Sequence, residues 1–169
     1  MIKKTKEKGA IEMKLEGFLL SVADMARSRQ FYETVLGRKV IQDFGANLTF
    51  EGGPVLQAGF TEMLGLDPAT EVKRSHNAEL YFEEEKIDEF VKSLEQMGGI
   101  QYVHPLLEQP WGQRVVRFYD PDGHIIEVGE PMDCVVGRLL REGMPAGQVA
   151  ERTMFPLEFV RMVEEQNKL

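Results

Sequence analysis

The sequence predicts an α+β fold of two βαβββ modules followed by a helical extension. Three observations carry that prediction. Two amphipathic helical segments each follow one short strand and precede three more. The strands alternate apolar and polar residues, as a sheet with two unlike faces requires. Beyond Pro131 the alternation gives way to helical spacing.

Residues 17–22 form the first strand. Asp24 stands where a helix cap is needed, and residues 25–36 put Phe31, Tyr32, Val35 and Leu36 on one face before Gly37 ends the helix. Strands follow at 39–43, 47–51 and 55–60, with Gly52-Gly53-Pro54 as the turn before the last. A connector spans 61–77. The second module repeats the order. Its strand is 78–83, and its helix, 86–97, carries Ile87, Phe90, Val91, Leu94 and Met97 at helical spacing and ends at Gly98-Gly99. Strands at 101–103, 113–119 and 124–129 complete it, the last two joined by Asp120-Pro121-Asp122-Gly123. The expected organisation is a basic, flexible start (1–14), a paired domain (15–131, modules 15–60 and 78–131) and a helical tail (132–169). Within the tail, helices are expected at 134–142, 146–152 and 156–166.

The chain has 169 residues, 43% hydrophobic and 28% charged, the profile of a globular protein with one main domain. Net charge is −8, with +3 on residues 1–14 and −1 on 133–169, which leaves −10 on 15–132. Such an acidic body repels phosphate backbones, so nucleic acid is not an expected partner. No apolar run is long enough to span a bilayer, and the lysine-rich start lacks the apolar stretch of a signal peptide. Cys134 is the only cysteine, which rules out an intrachain disulfide and fits a reducing compartment. A cytoplasmic protein is expected.

Parity sorts the strand residues. Leu20, Val22, Leu48, Phe50, Leu56, Phe60, Leu80, Phe82, Val116, Phe118, Ile126 and Val128 share the face that should pack beneath the helices. The other face mixes Ser21, Thr49, Gln57, Glu79, Tyr81, Arg117, Tyr119 and Glu127 with Leu19, Val55, Val115 and Ile125. On parity alone two readings stay open. This mixed face can meet water, as in many antiparallel sheets. Alternatively, the sheets curl and it lines a cavity, since apolar walls with a few polar groups describe a ligand pocket.

The stretch from Ser21-Val22-Ala23-Asp24 through Phe31-Tyr32 to Leu36-Gly37 resembles the opening of the vicinal-oxygen-chelate superfamily. Phe118-Tyr119-Asp120-Pro121-Asp122-Gly123-His124-Ile125-Ile126-Glu127 resembles its closing signature, and Pro110-Trp111-Gly112-Gln113-Arg114 resembles the segment that often precedes it. The superfamily includes glyoxalase I, extradiol dioxygenases, methylmalonyl-CoA epimerase, fosfomycin-modifying enzymes and metal-free bleomycin-binding proteins. The resemblance implies a curled mixed sheet around a central cavity and a homodimer. It implies an enzyme of lyase, isomerase or dioxygenase type acting on a small organic molecule. The alternative is a metal-free protein that binds a drug or metabolite.

In metal-using members, four cavity-facing residues hold one divalent ion, and the matching positions here are Gly17, Gln57, Glu79 and Glu127. Glycine offers no ligand atom. The resemblance therefore implies one of two sites. In the first, Gln57, Glu79 and Glu127 hold Mn, Fe, Zn or Ni with positions open for substrate. In the second, Arg117 pairs with Glu127 or Glu79 in a metal-free pocket. Glu127 and Glu79 are then candidate general bases. Glyoxalase I activity itself is disfavoured, because it normally uses the full ligand set.

Arg117 is also the candidate clamp for a ligand carboxylate or phosphate. Trp111 is a candidate stacking surface or a core plug, and Tyr81, Tyr119, Thr49 and Ser21 are candidate polar contacts. His124 has helix-face parity and is not expected to bind a ligand. His76 and His104 read as exposed loop residues within reach of the pocket mouth. Residues 139–160 resemble a helix-turn-helix. The second helix of that segment carries Arg161 against Glu158, Glu164 and Glu165, so a protein contact is expected rather than DNA: a dimer interface, or a lid on the main body.

Overall fold

Each module packs an open four-stranded sheet against one helix. The computed structural model describes residues 13–166, so nearly all of the basic segment 1–14 lies outside the described residues. In the first module β1 (Phe18–Val22) leads into α1 (Met25–Thr34), then β2 (Val40–Asp43), β3 (Asn47–Phe50) and β4 (Pro54–Ala58). The connector holds a short helix, α2 (Phe60–Met63), and a 3-10 turn (Pro68–Thr70). The second module runs β5 (Glu79–Glu83), α3 (Ile87–Met97), β6 (Gln101–Glu108), β7 (Arg114–Tyr119) and β8 (Ile125–Gly129).

Both sheets are mixed and have the same topology, β1-β4-β3-β2 and β5-β8-β7-β6. The first strand of each module pairs in parallel with the last, and the remaining pairs are antiparallel. The α1 entry is set locally: Asp24, in extended backbone, accepts the Arg27 N–H and caps the helix.

Residues predicted to lie beneath the helices form one core shared by both modules. Leu20, Leu48, Phe50, Leu56, Leu94, Val116, Phe118 and Ile126 are all buried in it. The modules interlock there, since α1 sets Tyr32 against Phe50 of its own sheet and Phe31 against Phe118 of the other.

Two predicted strand ends differ. Phe60 does not finish β4 but starts α2, because Gly59 takes a left-handed conformation (φ 63°) and turns the chain. Strand β6 continues past residue 103 to Glu108, through Pro105. Proline is tolerated because β6 is an edge strand, and its pairing with β7 shifts register on both sides of His104.

The tail forms α4 (Met132–Arg141), α5 (Ala146–Thr153) and α6 (Leu157–Gln166) around a separate core of Val135, Val136, Leu139, Val149, Val160 and Val163. Met154 takes φ 61° in the turn between α5 and α6. The tail docks on the main body through arginines. Arg138 reaches Glu130, Glu108 and the Gly112 carbonyl, while Arg152 reaches Glu108 and the Pro110 carbonyl. Among the described residues no helix is long and apolar enough to cross a membrane.

Candidate ligand site on the mixed face

Pairing register lines up a polar row across the second sheet. Tyr81 on β5 lies beside Glu127 on β8, Glu127 beside Arg117 on β7, and Arg117 beside His104 on β6. Neighbours across strands on one face are close enough to touch, and three of these four do. The Arg117 guanidinium contacts the buried Glu127 carboxylate and donates from Nε to Glu79 Oε2 at 2.9 Å. Its Nη1 lies 3.2 Å from His104 Nε2. His104 Nδ1 is 2.8 Å from the Pro105 carbonyl oxygen, which can only accept. The proton therefore sits on Nδ1, and the Nε2 lone pair accepts from Arg117.

This arrangement does not fit a divalent ion. A guanidinium already occupies the two carboxylates that would have to bind it. Gln57 lies on the other sheet, where its Oε1 accepts from Asn47 at 2.9 Å and its Nε2 donates to the Ala58 carbonyl at 2.8 Å. The fourth position is closed sterically, because a Cβ on Gly17 would meet the Gly53 carbonyl oxygen at 2.8 Å.

The inner edge strands β1 and β5 flank each other without hydrogen bonding, and a cavity of about 350 Å³ opens along this seam. Its floor includes Leu19 and Ser21 of β1, Glu79 of β5 and Ile125 of β8, and the connector crosses above. Contacts that hold that cover include Ser21 Oγ donating to Glu71 Oε2 at 3.1 Å and His76 Nε2 lying 2.7 Å from the Tyr119 hydroxyl. The volume falls within the range of small-molecule pockets.

Of the predicted site residues, Ser21 and Glu79 line the seam cavity. Arg117 and Glu127 join it through Glu79, and Tyr119 joins through His76. Four others lie elsewhere. Thr49 and Gln57 stay on the first sheet. Tyr81 bonds to Glu83 and Gln113, and burial together with the Glu83 bond raises its pKa. Trp111 donates to Gln113 at 3.1 Å, in the loop against which the tail packs.

Sequence reasoning missed three contributors. His104 reads in the sequence as an exposed loop residue, and strict alternation along β6 would turn it to the face of Tyr102 and Phe118; the register shift after Tyr102 brings it beside Arg117 instead. Gln113, at the start of the predicted strand 113–119, shares the parity of Val115 and Arg117 but was not singled out. In the connector the sequence singles out His76 alone, as an exposed residue within reach of the pocket mouth.

The two segments that carried the resemblance meet each other. Asp122, buried, accepts from the Ala23 N–H at 3.1 Å, Arg27 at 3.0 Å and Ser28 Oγ at 2.8 Å. Asp120, also buried, accepts from Tyr32, from His124 and from two backbone N–H groups. Burial alone would lower the His124 pKa. The Asp120 bond and the nearby carboxylates outweigh it, and the net direction is upward. The closing signature thus latches the second module to α1 of the first, and its histidine serves that latch.

A family model for a glyoxalase-like domain matches residues 15–133. Among solved structures, a protein of unknown function from Agrobacterium tumefaciens str. C58 is 36% identical, with a TM-score of 0.62 over 73% of this chain and 98% of that one. A glyoxalase/bleomycin resistance protein/dioxygenase from Nocardioides is 23% identical (TM-score 0.55; 72% and 85% covered). A lactoylglutathione lyase from Agrobacterium tumefaciens is 22% identical (TM-score 0.55; 70% and 94% covered). These last two likenesses concern the fold. No curated protein matches the chain.

Proposed function

Because the chain belongs to the glyoxalase-like domain family, we propose that it binds a small organic molecule in the seam cavity between β1 and β5, without a divalent metal. The observation that carries this reading is Arg117, which engages Glu79 and Glu127 together and donates to a neutral His104. A cation at those carboxylates would have to displace a guanidinium held from three sides. In this reading Leu19 and Ile125 supply apolar contact, Ser21 and Glu79 orient polar groups of the ligand, and the connector excludes water. A catalytic version rests on Glu79. It is the acidic residue of the pair that lines the cavity, and it becomes a proton acceptor when a ligand draws Arg117 aside.

Titration with Mn²⁺ and Zn²⁺ tests the metal-free reading. The native chain should take up neither stoichiometrically, whereas Arg117→Ala frees both carboxylates and should gain affinity. One equivalent bound by the native chain and lost in Glu127→Ala would overturn it. A thermal-shift panel of small organic compounds tests the cavity. Stabilising compounds should lose their effect in Leu19→Trp, and a panel in which no compound separates the two chains sinks the cavity reading. The reading includes a cytoplasmic homodimer, supported by Ile41 and Phe44, which are 59% and 73% exposed on and beside the outer strand β2. Equilibrium sedimentation tests that assembly.

A further inference from the structure

A second cavity, of about 810 Å³, opens where α1, the turn after α3 and the Asp120–Gly123 turn converge. Phe31 of α1, Val35 at its C-cap, and Met97 and Ile100 from the α3 end give it apolar walls. Met97 is 50% exposed there. Lys73 and Arg74 of the connector stand between this groove and the seam cavity and line both.

The charges of the groove are unevenly satisfied. Its two acidic residues, Asp120 and Asp122, are buried and fully engaged in the latch. Arg27 is paired with Asp122. Among the described residues neither Lys73 nor Arg74 makes an ion pair, although residues 15–132 carry a large acidic excess. Arg74 is also held unusually. Its backbone is left-handed (φ 53°), a conformation that non-glycine residues rarely adopt and that tends to occur at functional positions. Its guanidinium lies 4.3 Å from the centre of the Tyr119 ring and donates to Gln101 Oε1. Stacking on tyrosine orients the planar fork and leaves most of its N–H donors free for a carboxylate or phosphate.

We propose that this groove is a second ligand site, which takes an organic anion with an apolar body: the anionic group on Arg74 and Lys73, the body against Phe31, Val35, Met97 and Ile100. The site shares Lys73 and Arg74 with the seam cavity, but its apolar walls contribute nothing to that cavity, so a variant on those walls separates the two sites.

The probe pair 1-naphthaleneacetate and 1-naphthaleneacetamide differs in charge at nearly constant shape. Calorimetric titration of the full chain should give about tenfold tighter binding of the anion, the size expected of one charge-assisted bidentate contact. Arg74→Gln should remove that preference and leave the amide affinity in place. Gln30→Trp, an exposed α1 position on the groove wall, should weaken both probes. Circular dichroism melts confirm that each variant is folded. Equal affinity for the two probes, no binding of either, or anion binding unmoved by Arg74→Gln or by Gln30→Trp overturns the proposal. Neither the metal titration nor the Leu19→Trp panel depends on these outcomes.

Discussion

Asp122 shows how single residues join the modules. Its carboxylate is buried and has three donors, two of them side chains of α1. Ser28→Ala removes one donor and leaves a buried anionic oxygen short of a partner, at a cost of about 1–3 kcal/mol. Chemical denaturation should show that loss, and an unchanged midpoint would mean the latch is slack. His124 gives the latch a pH dependence. Its folded pKa is raised by Asp120, so its contribution is fully present below the unfolded imidazole value and fades as pH rises through the folded one. Melting temperatures of the native chain and His124→Gln should therefore differ most below about pH 6.5 and converge above it. A constant difference across that range contradicts the assignment. Parity made Glu79, Arg117 and Glu127 legible as one face, because strand alternation is written in sequence. That Arg117 takes both carboxylates was left open beside a metal, because pairing depends on side-chain reach across three strands.

Among the elements, the β6–β7 hairpin carries the tail. Glu130, 3% exposed, accepts from both Arg114 and Arg138, and these bonds outweigh burial and lower its pKa. Gly112 sits beneath α4 at φ 90°, and a Cβ there would meet Leu139 at 3.1 Å. Arg138→Ala leaves Glu130 with Arg114 alone and should cost about 2 kcal/mol, less than a fully buried pair because the arginine keeps some solvent contact. Glu130 has a depressed folded pKa, so its contribution exists above the unfolded carboxyl value and is lost as pH falls through the folded one. The Arg138→Ala deficit should accordingly shrink in acid. An equal deficit at neutral pH and at about pH 3 would place the stabilisation elsewhere. The one helix and four strands of each βαβββ pattern were legible from period and caps. The ends of β4 and β6 were not, since Gly59 and the edge position of Pro105 act through tertiary context. Nothing in the connector has a period, so its cover over the mixed face could not be read.

For the whole molecule, two cores divide the chain where the family match ends. One spans both modules, and the other belongs to α4–α6 alone. The tail core is small, and so short a bundle buries too little surface to stand without support. The modules are different. Their core is shared, and the latch draws the two sheets together. The solved relative from Agrobacterium tumefaciens str. C58 is matched over 98% of its length by 73% of this chain, so a protein of this fold stands on about the body alone. A chain ending at Pro131 should therefore keep a cooperative melt and its sheet signal in circular dichroism. It should melt at a lower temperature, because Glu130 loses Arg138 and Gly112 loses its cover. Hydrogen exchange on the full chain should show the complementary behaviour, with α5 and α6 amides opening at lower free energy than those of β4 and β8, each paired on both sides in its sheet. If the shortened chain has no cooperative transition and all amides open together, the tail and modules form one folding unit and the arginine contacts are part of its core.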